Sequence, residues 1–434
     1  MENAVKDWRG RSYLPGPVPA DRTRMFWLAL GAMAAISPLQ YGYAALLTRE
    51  PAGLTLLAAW IACQAVGALP ALHLVRRGRL TVRTALIAGA ALSALGLATA
   101  ALTGPAVTGA ALTGSGALVF LAFLGYALLG GLGAGLVYGV CGQVVSSWYP
   151  ERPAARVGLI TGAFGYGAVP LLVWAGIAPG ATSAAFLVAA VIAAAVIGAA
   201  ARHLRLPPPL WWPDTVDPRT HALDAARLRT APEAAKQFLL SQALRTRALP
   251  ALALILICAG AVSVFDVIVV ASTGSWGALA LLVALNGAGR SAAMRAAELL
   301  GRRRTLAAVL TALATGQVLL ATTFQSTTAI AGGADGVGGP VLWAGVVAAG
   351  LGGGAFYPLV ASLVREFFGT EGAGEIHAVV YSAKALAGVA AVALALVALN
   401  APGTALLAAA ALAALPALAT PRLRIPGLPA TIPL

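Results

Sequence analysis

The sequence predicts an all-α polytopic membrane protein with twelve transmembrane helices in two pseudo-symmetric six-helix bundles. Of its 434 residues, 59% are hydrophobic and only 10% are charged, and the mean hydropathy is +0.85. Average soluble proteins carry about 25% charged residues. The apolar residues form long continuous stretches rather than an alternating pattern, which excludes a transmembrane β-barrel.

Twelve apolar stretches are long enough to cross a bilayer, which needs about 20 residues per helix. The fourth and tenth are the longest, and their ends are expected to project past the hydrocarbon core. Gly131, Gly135 and Gly139 recur every four residues in the fourth, which predicts close helix packing rather than a phosphate loop. The predicted stretches are 25–47, 53–75, 84–103, 117–146, 157–178, 182–202, 248–271, 277–297, 305–325, 341–364, 376–398 and 403–419.

The basic residues predict the orientation of the chain. All of the 29 Lys and Arg residues except Arg49, Arg290 and Lys384 fall in alternate loops, the tails or their margins, with clusters at 76–83 and 302–304. The positive-inside rule therefore predicts that the protein lies in the cytoplasmic (inner) cell membrane with both termini in the cytoplasm. The net charge of +14 follows from this rule and predicts contact with anionic membrane lipid, with no nucleic acid as partner.

One long polar segment divides the chain into two halves that repeat. GLGAGLVY at 131–138 and GLGGGAFY at 350–357 match in five of eight places at an offset of 219 residues. Duplicated six-helix units with a site between them are common in secondary transporters. The predicted divisions are a cytoplasmic tail (1–24), a first bundle (25–203), a cytoplasmic linker with interfacial Trp211 and Trp212 and amphipathic helices (204–247), a second bundle (248–420) and a cytoplasmic tail (421–434).

Two cations lie within the apolar stretches and predict a binding site. Arg290 is about 20 Å and Lys384 about 12 Å along their helices, at 1.5 Å per residue, so both lie near mid-membrane. A charge at that depth costs about 2.5–3.5 kcal/mol and usually marks a substrate or ion pathway. Neither has an evident carboxylate partner, so we expect an anionic ligand.

Aromatic residues are the expected walls of that site. Tyr381 shares a helix face with Lys384, and Tyr138 and Tyr357 occupy equivalent positions of the repeat. Asp266 is predicted near the outer surface, at a gate or a water-exposed end, and His377 at the cytoplasmic interface. The further candidate wall residues are Tyr41, Tyr43, Tyr166 and Trp343.

Enzymatic, metal and cofactor chemistry is not expected. The three cysteines lie singly in predicted spans, and no Cys or His cluster has ligand spacing. No pairing of a nucleophile with a base is evident either. We expect a transporter, without cofactor or metal, that is monomeric.

Several segments resemble the oxalate:formate antiporter family of the major facilitator superfamily. The basic loops are similar to the superfamily motif G-x-x-x-D-R-x-G-R, with Val75 and Glu298 in place of its acid. The more selective segments are NGAGR (286–290), YSAK (381–384), GLGGGAFYPLVASLVREFFG (350–369) and GLGAGLVYGVCGQVVSSWYPERPAARVGLITGAFGYG (131–167). The resemblance implies that Arg290 and Lys384 bind a carboxylate within an aromatic cage.

Exchange of small carboxylates by alternating access is therefore the predicted function. A proton-coupled monocarboxylate symporter is the alternative within transport. Related symporters place an Asp four residues before the Arg, where this chain has Asn286, which cannot titrate. The alternative from another class is a membrane receptor or scaffold that binds a ligand without moving it.

Overall fold

Helices of membrane-spanning length make up most of the computed structural model, which describes residues 4–7, 10–108, 116–227, 234, 236–329, 339–370 and 372–427. Proline begins several of them, among them Pro51, Pro153 and Pro340, because the first helical residue needs no N–H partner. The helices are α1 (Arg22–Ala35), α2 (Tyr43–Leu46), α3 (Pro51–Arg76), α4 (Val82–Thr108), α5 (Gly116–Ala122), α6 (Gly131–Trp148), α7 (Pro153–Tyr166), α8 (Val169–Ile177), α9 (Thr182–His203), α10 (Pro218–Arg227), α11 (Leu240–Ala243), α12 (Ala248–Ser272), α13 (Trp276–Leu300), α14 (Arg302–Ala329), α15 (Pro340–Phe368), α16 (Ala373–Ser382), α17 (Lys384–Ala398) and α18 (Pro402–Ala419).

The described residues contain eleven helices long and apolar enough to cross a membrane, and the all-α fold class is confirmed. The two longest are 116–148 and 340–368, which correspond to the fourth and tenth predicted stretches. Below, span 1 is 22–46, span 2 is α3, span 3 is α4, span 4 is 116–148, span 5 is α7 with α8, span 6 is α9, span 7 is α12, span 8 is α13, span 9 is α14, span 10 is α15, span 11 is α16 with α17, and span 12 is α18.

Span 1 is not among the eleven, because its helix is interrupted. α1 ends at Ala35, and a π-helical turn over Pro38–Gly42 precedes the short α2. Pro38 begins this turn and has no N–H to donate to the preceding turn, which favours a break. The turn changes the register of the helix and buries Gln40, Tyr41 and Tyr43. Such turns often lie at functional sites.

Glycines let the helices of each half pack closely, as the four-residue spacing predicted. A Cβ on Gly131 would lie 2.8 Å from the backbone oxygen of Trp60, and one on Gly135 would lie 2.5 Å from that of Gln64. Neither position has room for a side chain. The Gly-rich runs therefore serve helix packing inside spans, not phosphate binding.

The two halves meet along two pairs of spans. Span 8 packs along span 5, and span 11 packs along span 2. In the first pair, contacts run from Gly158 against Met294 to Gly176 against Trp276. In the second, Gly388 lies against Ile61. The two halves are therefore in contact along both pairs of spans, which makes this a closed conformation.

Gly287→Val is expected to force spans 5 and 8 apart. A Cβ on Gly287 would lie 2.5 Å from the carbonyl oxygen of Gly162 and 2.9 Å from the backbone nitrogen of Tyr166. Overpacking of this kind costs about 1–3 kcal/mol, which shifts the equilibrium roughly tenfold away from the closed form. Distances between spin labels on spans 5 and 8 measure the shift. Gly198→Val is the matched control, since nothing lies within 4 Å of its added Cβ, and equal distance distributions for the two variants would contradict the expectation.

The tail and the linker form a small sheet that the sequence did not predict. β1 (Val5–Lys6) pairs antiparallel with β2 (Ser12–Gly16), which pairs in parallel with β3 (Trp211–Pro213). Trp211 and Trp212 were predicted to be interfacial. Trp212 packs edge-on against Tyr13, and Trp211 packs against Trp148, while their position at the membrane interface stays a prediction. The two indole rings therefore pack the linker against the N-terminal tail and the first half of the chain.

The linker contains two short helices, α10 and α11, and their predicted place on the inner membrane surface stays a prediction. Beyond α10, residues 228–233 and 235 lie outside the described residues, as do 1–3 and 8–9 of the first tail and 428–434 of the second. The far end of the linker is bound to the second half, because Phe238 donates its backbone N–H to Phe368 O at 2.9 Å.

Candidate functional site

Arg290 lies buried between the halves, on span 8. Its side chain is 1% exposed. One terminal nitrogen donates to Thr161 O of span 5 at 2.8 Å, and the other donates to the Tyr41 hydroxyl of span 1 at 3.1 Å and to Asn286 Oδ1 at 3.3 Å. Its Nε has no acceptor among the described residues. The guanidinium thus binds neutral groups only and retains a free donor.

Lys384 reaches the same region from span 11, at the start of α17. It is 2% exposed, and its Nζ donates to Gln40 Oε1 at 2.9 Å and to Gln64 Oε1 at 2.8 Å. Both glutamines belong to the first half. The ammonium group therefore bonds across the interface to neutral amides, as Arg290 does to a carbonyl and a hydroxyl.

The two cations share the same aromatic neighbours. The guanidinium carbon of Arg290 lies 5.1 Å from the ring centroid of Tyr357, and Lys384 Nζ lies 5.9 Å from it. The corresponding distances to Phe164 are 5.8 and 5.4 Å. Cations within about 6 Å of a ring face are attracted to its π electrons. One compact site, built from both halves, therefore holds both charges.

The three leading aromatic candidates are brought together here. Tyr381 stacks on Tyr138 with ring centroids 5.2 Å apart, and it lies 6.5 Å from Tyr357. Its hydroxyl accepts from Gln64 Nε2 at 3.0 Å. The matched positions of the repeat, Tyr138 and Tyr357, thus flank the site from opposite halves.

The remaining aromatic candidates separate into three groups. Tyr41 lies in the site, bonded to Arg290 and Asn286, and Tyr166 lies against Gly287 on the neighbouring turn of span 8. Tyr43, two residues along the chain from Tyr41, is buried, and its ring stacks on that of Tyr126 with the ring centroids 3.7 Å apart. Trp343 lies apart from the site. It is 39% exposed on span 10, and its ring approaches Gly277 at the start of span 8. Contrary to the prediction, Trp343 therefore does not line the site.

Sequence reasoning missed the two amides that hold Lys384 and the ring that both cations face. Gln40 and Gln64 are polar residues in apolar stretches, a signal that buried amides usually have partners. Phe164 carried no such signal, because an apolar ring in an apolar span is unremarkable. Asn286 was noted only for what it replaces, yet it links Arg290, Tyr41 and Ser263 of span 7.

Asp266 was predicted near the outer surface, at a gate or a water-exposed end, and its burial contradicts the exposed end. It is 1% exposed and accepts a hydrogen bond from Gln317 Nε2 of span 9. Both residues belong to the second half. Neither Arg290 nor Lys384 forms an ion pair with it or with any other described acid.

His377, which was predicted at the cytoplasmic interface, is part-buried on α16 and lies near the site. Its ring centroid is 6.0 Å from that of Tyr381, one turn away on α16. At the basic end of the same half, the acid facing the clustered arginines is Glu366 of span 10. It is 3.0 Å from Arg302 and 3.6 Å from Arg303.

The architecture is that of solved major facilitator superfamily transporters. The proton:xylose symporter XylE bound to 6-bromo-6-deoxy-D-glucose superposes with a TM-score of 0.62 at 16% identity, covering 92% of this chain and 96% of XylE. The human organic anion transporter MFSD10 (TETRAN) superposes with a TM-score of 0.58 at 17% identity, covering 93% of this chain and all of that one (100%). The predicted superfamily fold is thereby confirmed. No family model matches the sequence, and neither does any curated protein.

Proposed function

We propose that the chain is a secondary transporter that exchanges small carboxylate anions by alternating access. One observation carries the proposal: two cations lie buried in one site between the halves, and all their hydrogen-bond partners are neutral. A buried charge without a counter-charge is costly. A ligand that brings negative charge relieves that cost.

The chemistry of the two cations favours a carboxylate. The fork of Arg290 matches the two oxygens of a carboxylate, and its Nε is still free to donate. Lys384 adds a point charge that rotates toward a second carboxylate. The aromatic walls exclude water and offer ring faces on which a small, flat ligand can stack. A short dicarboxylate fits this set best, with one group at each cation.

Exchange follows from the same charges. Both cations donate across the interface, Lys384 to Gln40 and Gln64 and Arg290 to Thr161 and Tyr41. Arg290 donates in addition to Asn286 on its own helix. Closing the halves over an empty site buries two uncompensated charges, whereas closing over an anion does not. A ligand can shift a conformational equilibrium only by such a difference in binding. The loaded carrier therefore changes state more readily than the empty one.

The two proteins of similar fold are both transporters, which supports transport as the function, but they carry different kinds of substrate. One is named as a proton:xylose symporter and the other as an organic anion transporter. A sugar site needs no pair of unpaired cations, so the organic anion transporter is closer to the chemistry proposed for this chain.

Proton-coupled symport of a monocarboxylate is the second candidate, favoured by one observation. Asp266 is a buried carboxyl group in span 7, although Asn286 occupies the position where related symporters place a titrating acid. Proton movement in a fixed ratio to substrate would favour symport over exchange.

Thermal melting of the purified protein with a panel of small mono- and dicarboxylates tests the proposal. We expect a short dicarboxylate to raise the melting temperature, and Arg290→Ala and Lys384→Ala each to remove the effect. Counterflow in proteoliposomes then separates a transporter from a receptor that binds without flux. Stabilisation by monocarboxylates alone, retained in Lys384→Ala, would overturn the exchange of dianions, and no response to any acid would overturn the anion site.

A further inference from the structure

Asp266 and Gln317 form a buried polar pair that the proposed exchange does not use. Asp266 is 1% exposed and Gln317 is 0% exposed. Gln317 Nε2 lies 2.5 Å from Asp266 Oδ1. The second carboxyl oxygen, Oδ2, and the amide oxygen of Gln317 have no donor among the described residues. The pair therefore has two unmatched acceptors and lacks at least one hydrogen.

No cation among the described residues donates a hydrogen to Asp266 or Gln317. Span 7 packs against α2, α13, α14, α15, α16, α17 and α18, and no ion pair or charged hydrogen bond joins any described group on them to Asp266. Arg290 and Lys384 are bonded to the first half instead. The titratable or charged groups on these helices are Tyr43, Arg290, Arg295, Glu298, Arg302, Arg303, Arg304, Tyr357, Arg365, Glu366, Glu375, His377, Tyr381 and Lys384.

Depth separates Asp266 from the basic end of the bundle. It lies 18 residues beyond the start of α12, or about 27 Å at 1.5 Å per residue. The arginines at the start of span 9 and at the end of span 10 are therefore remote from it. An ionised carboxylate buried with one amide donor is strongly disfavoured, and such a group takes up a proton instead.

A hydrogen-bonded chain from the cation site ends on span 7, one helical turn from this pair. Ser263, one turn before Asp266 on span 7, accepts from Asn286 Nδ2 at 3.0 Å. Asn286 Oδ1 in turn accepts from Arg290 and from Tyr41 of span 1. Span 7 also contacts the first half through α2. Separation of spans 1 and 8 would break the Tyr41 end of this chain, and movement of span 7 away from α2 would open the end of span 7 near Asp266 to water.

We propose that Asp266 is a proton-binding site, protonated in this closed conformation and able to exchange its proton with water when span 7 moves away from span 1. The proton on Oδ2 supplies the hydrogen that the pair lacks, and it can be donated to Gln317 after rotation of the amide. Closing the halves then takes up a proton, and opening releases it. This inference rests on the proposed alternating access but not on the identity of the substrate.

The pH dependence of thermal stability tests the site without any transport assay. An unfolded Asp ionises near pH 4, whereas the folded protein would keep its proton to higher pH. The folded state then binds more protons, so stability falls as pH rises, by up to about tenfold in the folding constant per pH unit. Asp266→Asn keeps the shape and the amide contact without the proton. We expect wild type to lose stability relative to Asp266→Asn as pH rises from 5 to 9.

Several outcomes would overturn the proposal. Parallel curves for wild type and Asp266→Asn would show that Asp266 binds no proton over this range. Stabilisation of wild type alone by Na⁺, at fixed pH and ionic strength, would assign a metal cation instead. If Asp266→Asn does not fold, Gln317→Leu takes its place: loss of the amide donor further disfavours the carboxylate, so the decline should move to higher pH, and an unmoved decline counts against the site.

A transport measurement separates this inference from the proposed function. Where a carboxylate is exchanged, the wild-type rate should vary with pH and the Asp266→Asn rate should not. Where no carboxylate is exchanged, the stability curves still decide whether Asp266 binds a proton. Equal pH profiles of exchange in both proteins would overturn the link between this proton and the movement of the halves.

Discussion

Arg290→Lys is expected to slow carboxylate exchange at least about a hundredfold, although it keeps the positive charge. The guanidinium joins Thr161 O, Tyr41 and Asn286 at 2.8–3.3 Å and still has Nε free. Lysine has a single nitrogen and cannot reproduce this planar set. Hydrogen bonds to charged groups are worth about 1.5–3 kcal/mol each, and about 1.4 kcal/mol is tenfold, so the loss of two accounts for the expected factor.

Counterflow in proteoliposomes, with melting to measure binding, checks this expectation. Arg295→Lys is the matched control, because Arg295 lies on the same helix with its side chain exposed. It should exchange at the wild-type rate. An Arg290→Lys protein that exchanges within threefold of wild type would show that charge alone, without the fork, is sufficient.

Lys384→Met is expected to turn an exchanger into a leak. The ammonium binds only Gln40 and Gln64 through neutral oxygens, so its charge opposes closure of the empty site. Methionine has similar length and no charge. We expect dicarboxylate binding to weaken about a hundredfold, as after loss of one charge-assisted contact, while net flux without a counter-substrate rises roughly tenfold relative to exchange.

The two fluxes are measured in the same vesicles, with and without substrate on the far side. Lys236→Met provides the control, since Lys236 is exposed in the linker and its ammonium faces Phe238. It should leave both fluxes unchanged. A Lys384→Met protein that loses exchange and gains no net flux would restrict Lys384 to binding and remove the argument for obligate exchange.

The spans and the two cations could be predicted because each depends on local sequence. The length of an apolar stretch is compared with the bilayer, and a charge inside one is costly wherever the rest of the chain lies. The repeat supplied Tyr138 and Tyr357 in the same way. These predictions needed no knowledge of which helices meet.

The partners of the cations could not be predicted, because they depend on contacts between distant residues. Gln40 meets Lys384 across 344 positions of sequence, and only after a π-helical turn has changed the register of span 1. Trp343 failed for the opposite reason. Its residue type suited an aromatic wall, but it lies 14 residues before Tyr357 on the same helix, about 21 Å away at 1.5 Å per residue.

Asp266 and the tail show how neighbours override a local pattern. The position of Asp266 near the end of an apolar stretch predicted water, and Gln317 on another span provided a buried partner instead. The strands of the tail and linker are short and without alternation, so their pairing becomes evident only when 12–16 and 211–213 lie side by side.

In the proposed exchange, the two buried cations, which form no ion pair with an acid in the described part of the chain, also determine the response to voltage. A membrane potential of 100 mV does work of about 2.3 kcal/mol on each elementary charge that crosses it. With a dianion bound, the site carries no net charge and its reorientation is electrically silent. With a monoanion bound, one positive charge moves. Exchange of a dianion for a monoanion would therefore transfer one elementary charge per cycle, and such a carrier would generate or consume membrane potential as it exchanges its substrates.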